Sequence, residues 1–267
     1  MAFPSAARTE PGVPAVAASS GSSRLRAWRR IAIILLLLLI HLPLHGLWRL
    51  FGARSPWPRR FLGAVGRAAG ADMRIAGTPI LRDVLIVANH LSWLDILLIA
   101  DACGARFVAK EEVSRWPAIG WLAGLNDTVY VARAERGRVH EQADRLREAI
   151  GEHTPVTLFA EGGTGDGRTL GPFRASLLAA LLPPMPGVLL QPVAVDYGAE
   201  APLVAWEGDL PVGAEAMRLL GLPGRRQAVL RFLPPIDPAT LPDRKALAAA
   251  AHAALREALG EDARSRV

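Results

Sequence analysis

Apolar residues fall along this chain in two rhythms. Short apolar runs bounded by Gly, Pro, Asn or Asp recur at 73–76, 84–88, 106–109, 128–132, 155–159, 188–196 and 228–233. They read as strands, some apolar throughout, as in strands buried on both faces. Between them, helical spacing appears at 95–102, 117–124, 137–150, 172–181 and 243–259. Strands alternating with helices predict an α/β fold, a single mixed sheet covered by helices. The final segment, alanine-rich and amphipathic from Ala246 to Leu259, is expected to be a covering helix. No internal repeat is visible.

Ahead of the sheet the pattern changes. Residues 1–23, rich in Ala, Pro, Ser and Gly, read as a disordered tail. Residues 24–70 read as a membrane anchor followed by a basic amphipathic segment, and 71–267 as the α/β domain. Ile31 to Ile40 are ten apolar residues in a row; His41, Pro43 and His45 then interrupt the run, and Trp48 and Arg49 close it. As helix, Ile31 to Trp48 would reach about 27 Å at ~1.5 Å per residue, near the roughly 30 Å of a bilayer core. That length suits a transmembrane helix or a shallow re-entrant one. A cleaved signal peptide fits poorly, because small residues should follow the apolar core and His-Leu-Pro-Leu-His-Gly-Leu-Trp follows instead. The arginine cluster of Arg24, Arg26, Arg29 and Arg30 is the denser flank, which puts the N-terminus on the cytoplasmic side. Further on, Trp57, Phe61 and Leu62 mix with Arg59, Arg60 and Arg67, while Pro56 and Pro58 break the segment. Such a segment lies in a headgroup plane, or it is an ordinary first helix of the domain packed inward.

Charge and cysteine content narrow the function classes. A chain of 267 residues buries one substantial core without needing to split. The net charge is +6, but nine arginines and no acid lie between Glu10 and Asp72, so the remainder is slightly acidic. Basic residues flank an apolar run here instead of striping a folded domain, which argues against nucleic acid as a partner. Cys103 is the only cysteine, so no intramolecular disulfide forms and a reducing compartment fits. Its apolar surroundings suit a buried structural thiol. His140, His153 and His252 lie in polar surroundings, and no His/Cys/Asp spacing resembles a metal site. Neither a metal nor a cofactor is expected.

The chemistry concentrates where the second strand hands over to a helix, at Asn89-His90-Leu91-Ser92-Trp93-Leu94-Asp95. On one continuous helix a five-residue step turns about 140°, so the imidazole and carboxylate would diverge. With His90 in the loop and Asp95 in the first helical turn they can meet, which suits a general base held in one tautomer. The plainer alternative is a loop histidine beside an aspartate favoured by the helix dipole. Ser92 reads as the helix N-cap. After the fifth strand, Phe159-Ala160-Glu161-Gly162-Gly163-Thr164-Gly165-Asp166-Gly167 forms a Gly-rich loop of the kind whose N–H groups approach an anion. Glu161 is unusual there; it suits a hydroxyl of a polyol or the orientation of nearby arginines. Asp127 to Arg133 reads as a strand delivering an arginine, a bidentate fork for phosphate. Leu189 to Val195 is a further apolar run carrying Pro192.

These blocks, in this order, resemble the glycerolipid acyltransferases of the 1-acylglycerol-3-phosphate acyltransferase (PlsC-type) family. The likeness covers roughly Arg74 to Val195. It implies His90 as general base on the acceptor hydroxyl, with Asp95 as its orienting partner. It implies Arg133, with Glu161 and Gly162, at the acceptor head group, and Pro192 on the acyl-chain side. Departures occur at Asp127, Ala160 and Gly163, where the family usually has Gly, Pro and Thr. The Phe-Ala-Glu-Gly block with its following Gly165-Asp166-Gly167 and Pro172-Phe173-Arg174, and the stretch Gln191 to Tyr197, look like members that acylate lyso-ornithine lipids. On family breadth the expected acceptor is 1-acyl-sn-glycerol-3-phosphate, with lyso-ornithine lipid as the alternative. The donor would be acyl-CoA or acyl carrier protein, and the site of action the cytoplasmic face of the inner membrane. No Gly-x-Ser-x-Gly turn is present, which argues against a lipase-like acyl-enzyme. A non-catalytic membrane lipid-binding protein on the same scaffold is the rival class, and the intact His90 and Asp95 argue against it.

Overall fold

The computed structural model describes residues 21–52, 55–116, 119–131, 139–206 and 210–260. Two helices lead, α1 (Gly21–Leu50) and α2 (Trp57–Ala69), followed by β1 (Ala71–Ala76), β2 (Val84–Ala88) and α3 (Trp93–Cys103). Next come β3 (Arg106–Lys110), the single turn α4 (Glu111–Ser114), α5 (Ile119–Leu125), β4 (Val129–Val131), α6 (Val139–Gly151) and β5 (Val156–Phe159). The chain closes with β6 (Leu189–Asp196), the short α7 (Ala201–Val204), α8 (Val212–Gly221), β7 (Arg226–Phe232) and α9 (Arg244–Ala258).

The strands form one seven-stranded sheet in the order β1-β7-β6-β2-β5-β3-β4. All neighbours run parallel except β6 and β7. This is the mixed single sheet expected. β2 sits at its centre between β5 and β6, and all five of its residues are buried, as a strand covered on both faces requires. Its side chains alternate: Val84, Ile86 and Ala88 enter the core under α2, α3 and α8, and Leu85 and Val87 the core under α6 and α9.

Several expectations need correction. Residues 21–23 open α1 rather than continue a tail, because its first turns dock on α8: Arg26 Nε donates to Gly221 O at 2.8 Å. Residues 1–20 lie outside those described. Pro43 does not end the apolar run; α1 is one helix of 30 residues. Pro56 and Pro58 do not break α2 but start it, standing at its N-cap and first turn, where a missing N–H costs no hydrogen bond. α2 turns Phe61, Val65 and Ala69 into the domain core, so its apolar side packs inward. Of 172–181, only Leu177–Leu181 is helical, as a 3-10 turn. The N–H groups of Gly171 and Arg174 are bound to Glu161 and to Ala160 O, which ties the preceding stretch to the neighbouring loop. α8 had no counterpart among the expected helices.

α1 has two faces. Arg30 is buried and donates to the carbonyls of Leu220, Leu222 and Gly224 at 3.1, 3.1 and 3.0 Å, satisfying groups left open where α8 ends. Ile31, Ile34, Leu37 and Leu38 follow on the same face, against the core. His41 packs its ring against Trp57 and Phe61 of α2. On the other face Leu35 is 59% exposed and Leu39 71%.

Candidate active site

The carboxyl ends of three adjacent parallel strands, β6, β2 and β5, meet at the middle of the sheet. Strand ends at this position in open α/β sheets form the crevice where ligands bind. The chain leaving β2 is held there by Asn89, whose amide continues the ladder with a side chain: Nδ2 donates to Val195 O at 3.0 Å and Oδ1 accepts from Val195 N at 2.8 Å. His90 follows in the loop, and α3 begins three residues later, at Trp93.

Ser92 is the N-cap, accepting from Leu94 N at 3.1 Å, and Asp95 completes a capping box. Asp95 Oδ2 accepts from the N–H groups of Leu91 at 2.6 Å and Ser92 at 2.8 Å. The same oxygen lies 2.9 Å from His90 Nδ1. An ionised carboxylate only accepts, so this contact puts the imidazole hydrogen on Nδ1 and leaves the Nε2 lone pair free to take a proton. Asp95 is 0% exposed. Its second oxygen, Oδ1, accepts from the hydroxyl of Tyr197, just past β6, at 2.7 Å. Burial, and then the charge of Asp95, push the Tyr197 phenol well above its ordinary range, so it remains a donor. The face of the His90 ring stacks on Phe159 at 3.8 Å between centroids, which fixes the ring plane against the end of β5.

Among the described residues Glu161 makes no ion pair with an arginine side chain. Its Oε1 accepts from His90 N at 3.0 Å and its Oε2 from Gly171 N at 2.8 Å, so the carboxylate spans the gap between the His90 loop and the Gly-rich loop. Burial raises the Glu161 carboxyl above its usual range, against the pull of those two donors and of His90. Two more backbone bonds brace the corner: Gly165 N donates to His90 O, and Trp206 N to Leu91 O, each at 2.7 Å. Gly162 has φ 79°, and a Cβ there would stand 2.8 Å from Arg174 Nε. The left-handed backbone therefore favours glycine, and a side chain there would also have to displace the end of Arg174. Beside this loop lies a cavity of about 460 Å³ lined by Glu161, Asp166, Phe173 and Arg174 among others.

His90, Asp95, Glu161 and Gly162 are thus brought together. Pro192 is not: it pairs with Val87 inside the sheet, on the side that carries Leu190 and opposite Val195 and Tyr197. Arg133 lies outside the described residues, as do the side chains of 139 and 140, including His140. Among the described residues no group of His, Cys, Asp or Glu could hold a metal. Cys103 is buried, and its thiol is pushed up to about 12 by that burial. Tyr197 had no role in the sequence reading; the signal lay in its place directly after the Pro-containing strand.

A mixed α/β sheet carrying a carboxylate-held histidine at the carboxyl ends of its central strands defines a protein of the His-x4-Asp class. The family model described as Acyltransferase matches residues 74–196. A lyso-ornithine lipid O-acyltransferase of Rhodobacter capsulatus is 33% identical, the match covering 95% of this chain and 96% of the relative. Another of that name from Pseudomonas aeruginosa is 34% identical over 77% of this chain and 79% of its own. A 1-acyl-sn-glycerol-3-phosphate acyltransferase of Neisseria gonorrhoeae is 32% identical over 37% of this chain and 39% of its own. The crystal structure of PlsC, the 1-acyl-sn-glycerophosphate acyltransferase of Thermotoga maritima, superposes with a TM-score of 0.65 at 20% identity, covering 90% of this chain and 96% of that one, which establishes the shared fold. The chain belongs to the 1-acylglycerol-3-phosphate acyltransferase (PlsC-type) family and is an O-acyltransferase of lysolipids in membrane lipid biosynthesis.

Proposed function

We propose that this enzyme acylates a lyso-ornithine lipid at the cytoplasmic face of the inner membrane, with His90 as general base and Asp95 as its orienting partner. The observation that carries the chemistry is the bond from His90 Nδ1 to the buried Asp95. His90 Nε2 removes the proton of the acceptor hydroxyl, and the oxygen attacks the acyl thioester carbonyl. The tetrahedral intermediate collapses, the carbon–sulfur bond breaks, and the imidazolium returns its proton to the departing thiolate. Backbone N–H groups or nearby donors would hold the oxyanion. The donor is acyl-CoA or acyl carrier protein, and the membrane lipids supply the acceptor.

The acceptor assignment is supported by the relatives of that name, which match this chain across most of its length, and by the Phe159–Gly167 block. Lysophosphatidate is the second choice, favoured by the shorter match to enzymes of that name. In either case Glu161, Gly162 and Arg133 would serve the head group, and Pro192 the acyl side. Rates measured side by side on both lysolipids, in membranes of a host lacking both activities, decide the acceptor. A wild type active only on lysophosphatidate overturns the choice. Arg133→Lys adds a second handle: with a phosphate acceptor the lost bidentate fork should raise KM about tenfold or more.

α1 is long and apolar enough to cross a membrane, with a mean hydropathy of 2.3 over its most apolar stretch. Its inner face, however, runs along α2, where Arg59 and Arg67 bind Asp101 and the carbonyl of Ala102 at the end of α3. That pairing supports attachment by the outward leucine face, re-entrant rather than spanning. A tag at residue 1 reached from both sides of sealed vesicles, or only from the far side, would contradict it.

A further inference from the structure

Tyr197 is a buried titratable group that the mechanism above leaves unused, and it is placed where it can act. It lies 102 positions from Asp95 in sequence, is 3% exposed, and directs its hydroxyl at the one oxygen of Asp95 that neither His90 nor the α3 cap engages. We propose that Tyr197 is a positioning residue for acyl transfer, its hydroxyl holding Asp95 Oδ1 so that Oδ2 stays aligned on His90 Nδ1. The proposal rests on His90 being the general base.

Oδ2 receives three donors and would suffice to cap the helix, whereas Oδ1 receives only Tyr197 among the described residues. A dry carboxylate oxygen without a donor is costly, and the carboxylate would turn or draw its charge toward the imidazole. The phenol spreads the charge over both oxygens, which limits how strongly Asp95 favours the imidazolium over the neutral base. Among the described residues, the titratable groups facing the His90–Asp95 pair are Glu161 from the loop after β5 and Tyr197 from the end of β6. Phe159 covers the ring face. A tyrosine that merely fills the core with a satisfied hydroxyl would stabilise the fold equally well but would not affect how His90 titrates.

Full-length enzyme in mixed micelles separates the two roles. Tyr197→Phe keeps the ring and removes the donor. It should lower kcat about three- to tenfold with both KM values unchanged, and move the acid limb of the kcat profile up by roughly half to one pH unit. The chain has two tyrosines, and Tyr130 hydrogen-bonds Gly120 O, away from the site. In a Tyr130→Phe background, replacing the remaining tyrosine by 3-fluorotyrosine strengthens the donor without removing an atom, and the acid limb should move down. This second measurement stands even if Tyr197→Phe does not fold. An acid limb that stays in place in both variants, whatever happens to kcat or Tm, overturns the proposal. Activity retained by His90→Ala would instead bring down the general-base assignment itself.

Discussion

The His90 corner and helix α1 solve opposite problems. At the corner, polar groups are taken out of water and held by partners: Asp95 alone accepts from His90, Leu91, Ser92 and Tyr197. Along α1, apolar groups remain outside, with Leu35, Leu36, Leu39 and Leu47 exposed in one continuous helix. A buried carboxylate held by four donors cannot move without breaking a bond in low dielectric, so it holds one geometry. An exposed apolar face needs a medium other than water to cover it. The corner is therefore closed within the protein, whereas the outward face of α1 is left uncovered by it. Arginine marks the boundary on α1, since Arg26 and Arg30 bind backbone carbonyls of the domain just before the apolar stretch begins.

The largest effect expected on this comparison is at the corner. His90→Ala should lower acyl transfer by roughly 10²–10⁴-fold while membrane association persists, because the base acts only in the chemical step. Asp95→Asn should cost less if the carboxylate only orients the imidazole, although it also disturbs the α3 cap. Comparable activity of His90→Ala and wild type in a lysolipid assay would remove the corner from the mechanism.

Next in size is the root of α1. Arg30→Ala leaves the carbonyls of Leu220, Leu222 and Gly224 without their donor, and should destabilise the domain by about 2–4 kcal/mol in denaturant unfolding. An unchanged unfolding midpoint would mean that α1 is not part of the folded unit. Deleting residues 1–70 is a poor test of attachment, since it also removes Phe61, Val65 and Ala69 from the core. Leu35→Glu with Leu39→Glu is cleaner. These side chains are exposed, so stability should shift by only about ±0.5 kcal/mol each, while flotation with liposomes falls sharply. Flotation equal to wild type would show that the outward face is not the attachment surface.

Glu161 gives a smaller effect of known sign. Its folded pKa is raised by burial, so its contribution to stability is fully present below the unfolded carboxylate pKa and is lost as pH rises through the folded one. Glu161→Gln abolishes that pH dependence but can accept from only one of His90 N and Gly171 N, so kcat and Tm should both fall modestly. The smallest effect belongs to Cys103, whose thiol, pushed up to about 12 by burial, should resist alkylation in the native enzyme; rapid labelling without unfolding would contradict its burial.

Much of this was legible in one dimension. The five-residue spacing of His90 and Asp95 works because Ser92 between them is an N-cap, which places histidine outside the helix and aspartate at its third position. The seven strands could be read because a sheet covered on both faces demands unbroken apolar runs, and those runs are local. The same locality explains the misreadings. Pro56 and Pro58 look like breaks until the helix they start is seen, and the 172–181 segment loses its helix to bonds with Glu161 and Ala160, which are about ten residues away in sequence.

What the sequence by itself determined was therefore the order of elements, the histidine–carboxylate pair and an apolar helix unsuited to water, because each follows from spacing within a turn or two. Only the tertiary structure decided that Glu161 braces the His90 loop, that Pro192 sits within the sheet paired with Val87, and that Tyr197 reaches the second oxygen of Asp95. These depend on how β5 and β6 flank β2, a long-range pairing to which no local pattern is sensitive. The inward packing of α2 was decided the same way, since an amphipathic face is the same in sequence whether protein or lipid covers it.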